Sequence, residues 1–228
     1  KADAYGHGIL QTSEVVLRNG ADYLGVAILD EAVTLRNHGF KAPIVILGYT
    51  PVSDLAQVVA FDLTQTIFEY GHAEALSQEA LKQNKRVPVH IKVDSGMGRL
   101  GFLAREESIP LVEKTLELPG IFVEGIYSHL ANADSLDKSY TLEQLERFFL
   151  FLDNLKERNI HIPIRHTANS AGILCYPEAH LDMVRPGIVL YGLFPSAEVK
   201  REGLLLKPVM SLKANVATAA PINWTKTV

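Results

Sequence analysis

The sequence contains a single cysteine, Cys175, among its 228 residues, so it cannot form a disulfide within itself. A lone thiol is typical of a reducing compartment, and we expect a cytoplasmic protein. Acidic residues outnumber basic ones by 26 to 22, which argues against a nucleic-acid partner because nucleic-acid binders usually present a basic face. No apolar run approaches the roughly 18 residues of a membrane span, and we expect no membrane partner.

Metal-binding patterns are also missing. Metal ligands recur at short characteristic spacings, and we find no such spacing among His38, His72, His90, His161 and His180. We therefore predict that there is no metal site. Apolar residues make up 47% of the chain and charged residues 21%, which is the balance of an ordinary globular domain. A chain of this length can bury a core without disulfides or metals.

Short apolar runs alternate with amphipathic segments along most of the chain. Residues 87–93 form the strongest strand pattern, and residues 139–158 form the clearest helix, with apolar residues three and four apart on one face. A last strand region is predicted within residues 183–191. Alternating strands and helices predict parallel βαβ units. A barrel and an open doubly wound sheet fit this pattern equally well.

The pattern changes after Gly192, where prolines become frequent. Residues 208–219 alternate loosely between apolar and polar side chains, as an antiparallel strand would. We therefore divide the chain into an α/β domain, residues 1–200, and the start of a β-rich C-terminal domain, residues 201–228.

Two glycine-rich segments contain residues that can do chemistry. In KADAYGHG, residues 1–8, a lysine at the end of a barrel strand could form a Schiff base, and glycines let the backbone approach a bulky ligand. Spacing alone favours an ordinary solvated Lys1. In KVDSGMGRLG, residues 92–101, Arg99 could offer a carboxylate two parallel donors. A surface arginine on a turn fits that segment equally well.

Three further polar clusters follow predicted strands. The first is Tyr127-Ser128-His129, where a purely structural histidine is the simplest interpretation. In HTANSA, residues 166–171, Ser170 could cap a helix whose N–H groups attract an anion. In DMVRPGI, residues 182–188, Arg185 lies among apolar residues and needs a partner if it is buried. In a barrel, all five segments would lie at the carboxyl ends of strands, where barrel active sites are built.

Four of these segments together resemble the alanine racemase family, and the similarity extends along nearly the whole chain. They are KADAYGHG, DSGMGRLG, HTANSA and VRPGI, in the order in which the family carries them. The resemblance implies a TIM-type (β/α)8 barrel that lacks its first strand here, followed by the truncated start of a β domain. It also implies a pyridoxal 5'-phosphate cofactor and a homodimer that shares its active sites. The implied activity interconverts L-alanine and D-alanine and supplies D-alanine for peptidoglycan.

The resemblance assigns roles to particular residues. Lys1 corresponds to the lysine that binds the cofactor covalently and acts as the base on the D face of the substrate. Arg185 corresponds to the arginine that faces the pyridine nitrogen, with His166 bonded behind it. The remaining cofactor contacts implied by the resemblance, mostly to the phosphate, are Tyr5, His129, Asn169, Ser170, Gly187 and Ile188.

Two more residues acquire roles near the substrate. Arg99 corresponds to an arginine beside the substrate carboxylate, and Lys92 to a lysine that is carbamylated in many members of the family. Lys1, Arg99 and His129 are thus the expected catalytic residues. The second base of the family is a tyrosine of the β domain in the other subunit, so we expect this chain on its own not to racemise.

Three alternatives stay open beside this interpretation. A serine racemase of the same family would carry the same segments. A decarboxylase for basic amino acids shares the architecture, but it places an acidic residue against the pyridine nitrogen, where this chain has Arg185. A non-catalytic pyridoxal-phosphate carrier would be a single barrel, which the change of pattern after Gly192 disfavours.

Overall fold

The computed structural model of the protein describes residues 2–199, 203–213 and 215. Six parallel strands form one sheet in which neighbours in space are also neighbours along the chain. A two-residue strand, β5, pairs only with the end of β4. The strands are β1 (Leu24–Val26), β2 (Ile44–Ile46), β3 (Thr64–Ile67), β4 (Val87–Asp94), β5 (Phe102–Leu103), β6 (Ile121–Tyr127) and β7 (Ile164–His166).

Helices connect these strands, so the predicted alternation of strand and helix is confirmed. Because each connection returns to the same end of the sheet, all the strands run parallel and their carboxyl ends meet at one edge. The strands form an arc of a barrel rather than a closed ring within the residues that the structure describes. The helices are α1 (Ala2–Gly6), α2 (Ile9–Arg18), α3 (Leu29–Asn37), α4 (Leu55–Ala60), α5 (Tyr70–Lys82), α6 (Ile109–Leu116), α7 (Ser139–Glu157) and α8 (Ser170–Cys175).

The main core lies between the strands and the helices that cover them. All three residues of β2 are buried, as expected for a parallel strand covered on both faces. Helix α7 buries Leu145 and Leu155, which lie on its predicted apolar face, together with Phe148 and Phe151. Leu142, at the edge of this face, is exposed. None of the described helices combines the length and the apolar character needed to cross a membrane.

The strand predicted within residues 183–191 is wrong. Residues 183–187 have no regular structure, and Ile188–Tyr191 form a turn of 3-10 helix. Gly192 ends this turn with a φ of +81°, and a Cβ at that position would lie 1.9 Å from the carbonyl oxygen of Lys207. The chain must therefore turn here and lie against residue 207 instead of extending.

The predicted β-rich domain is not visible as strands. Residues 203–213 contain neither helix nor strand, and residue 214 and residues 216–228 lie outside the described residues. The domain boundary at residue 200 therefore stays a prediction.

One irregularity in the sheet affects the site. Along the pairing of β4 with β6, Val89 lies opposite Val123 but His90 lies opposite Gly125, so Glu124 has no partner in the register. Such a bulge turns a side chain in a new direction. A Cβ at Gly125 would lie 2.6 Å from the imidazole of His90, so only glycine leaves room for that ring.

Candidate active site

The predicted site residues gather at the carboxyl edge of the sheet. Lys92 lies near the end of β4, His129 just beyond β6, and His166 at the end of β7. The segment after α8 brings Arg185 back over these ends, where its backbone N–H donates to the carbonyl of Ala168 at 2.9 Å. Lys1 lies outside the described residues.

The phenol ring of Tyr127 is the centre of this group. The imidazole of His166 stacks on it with ring centroids 4.6 Å apart and planes 9° from parallel. The Lys92 Nζ and the Arg185 Cζ each lie 5.0 Å from the centroid of the same ring. Its hydroxyl hydrogen-bonds to Thr66 Oγ1 at 2.9 Å, and burial raises the pKa of Tyr127, which keeps the phenol neutral. The Arg185 guanidinium and the Lys92 amine thus contact one aromatic ring, whose face favours a positive charge on either group.

Tyr127 has no predicted role, and the sequence places it only beside His129. Strand periodicity could have found it, because residues two apart on β6 share a face and Gly125 already marks that face as crowded.

Arg185 is held entirely by neutral acceptors. Its guanidinium donates to His166 Nδ1, to the Ser128 carbonyl at 2.8 Å and to the Thr167 carbonyl at 3.1 Å. Burial lowers the pKa of Arg185 to about 10, so the group stays protonated near neutral pH. A buried charge at this position needs partners, and Arg185 finds them in carbonyl and imidazole lone pairs rather than in a carboxylate. His129 Nδ1 lies 3.5 Å from the same guanidinium.

The His166 ring is fully buried and electrically neutral. Burial and then the nearby Arg185 charge lower the pKa of His166 well below its usual value. An arginine can only donate, so the Nδ1 atom that faces it must carry a lone pair. His166 therefore acts as an acceptor for Arg185, and its proton is on Nε2.

Lys92 is a buried amine with little to stabilise its charge. Lys92 is 4% exposed, and within the described part of the chain its amine donates one hydrogen bond, to the Val93 carbonyl at 3.2 Å. Burial, and then the Arg185 charge, lower the pKa of Lys92 to about 7. A large fraction of this side chain is therefore the free, nucleophilic amine at neutral pH.

The glycine-rich loop after β4 is organised by Asp94. Its carboxylate accepts hydrogen bonds from the backbone N–H groups of Gly96 at 2.9 Å, Gly98 at 3.1 Å and Arg99 at 3.2 Å. Burial alone would raise the pKa of Asp94, but these donors outweigh it and lower the pKa. The Arg99 side chain is exposed, and its guanidinium makes no hydrogen bond or ion pair with the residues that the structure describes. Its charge is thus available to a ligand.

Three residues from distant parts of the chain form a cradle beside this group. The Gly187 N–H donates to Ser170 Oγ at 2.9 Å, and the Val189 N–H donates to the same oxygen at 3.4 Å. A Cβ at Gly187 would lie 2.9 Å from the Tyr5 hydroxyl and 3.6 Å from Ser170 Oγ. Ile188 continues the cradle as the first residue of the 3-10 turn. Because Ser170 Oγ already accepts, its own hydrogen can be donated to an anion.

The expected helix cap at Ser170 is wrong. Asn169 caps α8 instead, with its Oδ1 accepting from the Gly172 N–H at 2.9 Å, while its Nδ2 donates to the Leu130 carbonyl at 3.2 Å. An asparagine is as good a cap as a serine, so the residue types alone could not decide between them. The assignment of the cap to Asn169 leaves the Ser170 hydroxyl turned toward Gly187.

This donor set fits pyridoxal phosphate. The space that a side chain at Gly187 would fill lies between two hydroxyl groups, which suits the phosphate, and a protonated guanidinium nearby can donate to a ring nitrogen. The same set does not suit a metal ion. Within residues 2–199, 203–213 and 215, no three histidine, cysteine, aspartate or glutamate side chains lie close enough together to hold one.

The sequence matches the family "Alanine racemase, N-terminal domain" over residues 1–195. It is 49% identical over 216 residues to alanine racemase 1 of Clostridium acetobutylicum and 48% identical over 216 residues to the alanine racemase of Methanococcus maripaludis. Each alignment covers 95% of this chain but only 56% and 58% of the relative, so the chain spans a little over half the length of these proteins.

Solved structures give the same result. The alanine racemase of Clostridium difficile 630 in complex with cycloserine aligns with a TM-score of 0.89 and 38% identity, over 91% of this chain and 57% of that one. The Bacillus anthracis enzyme with bound L-Ala-P aligns with a TM-score of 0.84 and 36% identity, over 90% and 53%. The arc of strands is thus part of a barrel domain of this kind. The chain belongs to the alanine racemase family, and the predicted family and barrel fold are confirmed.

Proposed function

We propose that these residues form the cofactor-binding part of a pyridoxal-phosphate-dependent alanine racemase that interconverts L-alanine and D-alanine. The observation that carries the proposal is Arg185, a protonated guanidinium held by neutral acceptors beside an anion cradle. A decarboxylase would need an acidic residue at that place. The product D-alanine would serve peptidoglycan synthesis, and we propose a cytoplasmic homodimer.

Arg185 determines which reaction the cofactor supports. When bound, pyridoxal phosphate supplies an electron sink for the charge left on the substrate Cα after a proton is removed. Because a guanidinium can only donate, Arg185 keeps the pyridine nitrogen unprotonated and the sink weak. A weak sink favours prompt return of the proton over slower side reactions. His166 orients Arg185 through its Nδ1 atom, and His129 would contact the cofactor ring.

The other residues bind and move the proton. Lys1 anchors the cofactor, and its amine, once free, takes the Cα proton of D-alanine on Nζ and returns it in the reverse reaction. Tyr5, Ser170, Gly187 and Ile188 grip the phosphate, with Asn169 beside them. The proton on the opposite face requires a second base, and no residue of this chain is assigned that role.

Lys92 would position Arg99 after modification by carbon dioxide. The free amine attacks CO₂, an N–C bond forms, and one proton leaves, which yields a carbamate anion in place of a cation. The low pKa of Lys92 supports this step, because only the unprotonated amine reacts. The new anion would pair with the Arg99 guanidinium and aim it at the substrate carboxylate. Native mass spectrometry of the full-length protein should show a labile added CO₂ that Lys92→Met lacks.

The proposal is tested by racemisation in the full-length protein that contains these residues. We expect conversion of both alanine enantiomers, followed by circular dichroism, and a lower rate with L-serine. Lys1→Ala should abolish the reaction and the visible absorbance band of lysine-bound pyridoxal phosphate. Arg185→Ala should lower the rate by about 100-fold or more, since it removes a preorganised charged donor. Arg158→Ala, at a surface ion pair, is the matched control and should have no effect. A protein that binds the cofactor but racemises no amino acid would instead be a carrier.

A further inference from the structure

A line of side-chain hydrogen bonds runs from the candidate active site into the barrel. Arg185 bonds to Nδ1 of His166, and Nε2 of His166 lies 2.9 Å from Nδ1 of His90. Nε2 of His90 in turn lies 3.2 Å from Oε1 of Glu124. Both imidazoles are fully buried, so neither can exchange a partner with water. The line links four side chains from three strands and the segment after α8.

The chemistry of its two ends fixes the direction of every bond. Arginine has no acceptor, so His166 Nδ1 must hold a lone pair and His166 Nε2 the proton. That N–H then donates to His90 Nδ1, which leaves the His90 proton on Nε2. Ionised Glu124 has no donor, so it accepts this last N–H. All three bonds therefore point the same way, from Arg185 to Glu124.

We propose that Glu124 is a positioning residue that fixes the protonated nitrogen of both histidines and thereby keeps the His166 lone pair directed at Arg185. The carboxylate gives the line a permanent acceptor at its inner end. Without it, the buried Nε2–H of His90 would have no acceptor, and the flipped tautomer that avoids this would present an N–H to the N–H of His166. If His166 then moved its own proton to Nδ1 to avoid this conflict, that N–H would face the guanidinium of Arg185, which is also a donor.

The sheet irregularity provides the geometry that this role requires. Glu124 is the residue skipped in the pairing of β4 with β6, and the bulge brings its carboxylate to His90. Gly125, directly opposite His90, leaves space for the imidazole ring. Thr64, on β3, donates its hydroxyl to the same Oε1 atom at 3.2 Å.

Other groups near the line do not compete for its atoms. Tyr127 stacks on the face of His166 and bonds elsewhere through its hydroxyl. Tyr23 lies with its ring centroid 6.2 Å from that of His90, and burial, then Glu124 and Asp22, raise the pKa of Tyr23, which keeps it neutral. Lys92, near His166, disfavours a second proton on that ring. The line thus ends only at Arg185 and Glu124.

The inference is tested on the histidine rings of the full-length protein without cofactor, so its outcome does not depend on racemase activity. Solid-state ¹⁵N NMR of histidine-labelled protein distinguishes a protonated from an unprotonated ring nitrogen. In the wild type, His90 and His166 should each show the proton on Nε2 only. For His166, whose pKa burial and Arg185 lower well below the usual histidine value, this pattern should persist between about pH 5 and about pH 8.

Three substitutions separate positioning from general structure. Glu124→Gln keeps an acceptor oxygen and should preserve the wild-type spectrum. Glu124→Leu removes the acceptor and should give a second His90 signal with the proton on Nδ1. Thr64→Val removes a neighbouring hydrogen bond but not the acceptor, so it is the matched control and should leave both rings unchanged.

Two results would overturn the inference. A wild-type His166 that carries its proton on Nδ1 would reverse the line, and this measurement needs no variant to fold. A Glu124→Leu protein with wild-type ring signals would show that the carboxylate does not set the tautomers. If the tautomers behave as expected but no alanine is racemised, the proposed function fails and the role of Glu124 stands.

Discussion

Replacing the buried amine of Lys92 should change how the stability of the protein depends on pH. Lys92→Met keeps the length and apolar stem of the side chain and removes only the group that titrates. In the unfolded chain the lysine holds its proton up to its ordinary pKa of 10.5, whereas in the folded protein it loses the proton above about 7. Unfolding between these two values therefore takes up one proton.

The size of the effect follows from this uptake. The free energy of unfolding of the wild type gains about 1.4 kcal/mol per pH unit from this group between its folded and unfolded pKa. The whole pKa shift of Lys92 corresponds to about 5 kcal/mol. Below about pH 7 all of this free energy destabilises the folded state, and the penalty is relieved as the pH rises. Lys92→Met lacks this contribution. Its stability relative to the wild type should therefore be greatest at low pH and decline by about 2.5 kcal/mol between about pH 7.5 and about pH 9.5.

Urea unfolding of the cofactor-free protein at several pH values measures this difference. The buffers must be free of CO₂, because a carbamate on Lys92 would replace the titrating amine, and the protein concentration must be constant. Using the difference between the two proteins cancels the titrating groups that Lys92 does not influence. The pKa of His166, which Lys92 lowers, lies well below the pH range of the measurement. A difference that does not change with pH would refute the buried, low-pKa amine, and with it the chemical basis for modification of Lys92.

Three further predictions concern single side chains. Gly125→Ala should destabilise the fold by about 1–3 kcal/mol in urea unfolding, since its Cβ would meet the rigid His90 ring. Asp3→Ala should cost about 1 kcal/mol, because the carboxylate accepts a backbone N–H at the start of α2 at 2.7 Å, whereas Asp3→Asn should be neutral. Gly187→Ala should weaken pyridoxal phosphate binding about 10-fold or more by displacing the Tyr5 hydroxyl, with an unchanged melting temperature; equal affinity in a fluorescence titration would contradict the cradle.

The order of strands and helices was predictable because buried parallel strands are nearly continuous apolar runs. Ile44–Ile46 is such a run, and Val87–Asp94, which alternates apolar with mostly polar residues, forms the strand that the sequence predicts. The end of the domain was harder to predict. Ile188–Tyr191 is as apolar and β-branched as a strand, and only the tight approach of Gly192 to Lys207 turns it into a 3-10 helix. That contact lies 15 residues away along the chain (207 − 192), so no local pattern contains it.

The residues of the candidate site were also predictable only in part. Arg185 was identifiable because a lone charge between apolar neighbours requires partners wherever it is buried. Glu124 was not, because strict alternation along β6 would place it on the face opposite Gly125 and Tyr127. A bulge is a property of two strands paired together and leaves little trace in either sequence alone. The line of hydrogen bonds from Arg185 to Glu124 is therefore visible only once the register between β4 and β6 is known.

The guanidinium charges of Arg185 and Arg99 have a kinetic consequence. The chain as a whole carries a formal charge of −4, yet this edge of the barrel presents an aromatic ring instead of a carboxylate between Lys92 and Arg185. A small anion diffusing toward the protein meets a net negative charge but is attracted to the guanidinium groups at this edge. Such fields accelerate encounter and are screened over about 8 Å at physiological ionic strength. Capture of phosphate-bearing or carboxylate ligands should therefore slow as salt is added, while their rate of escape changes little.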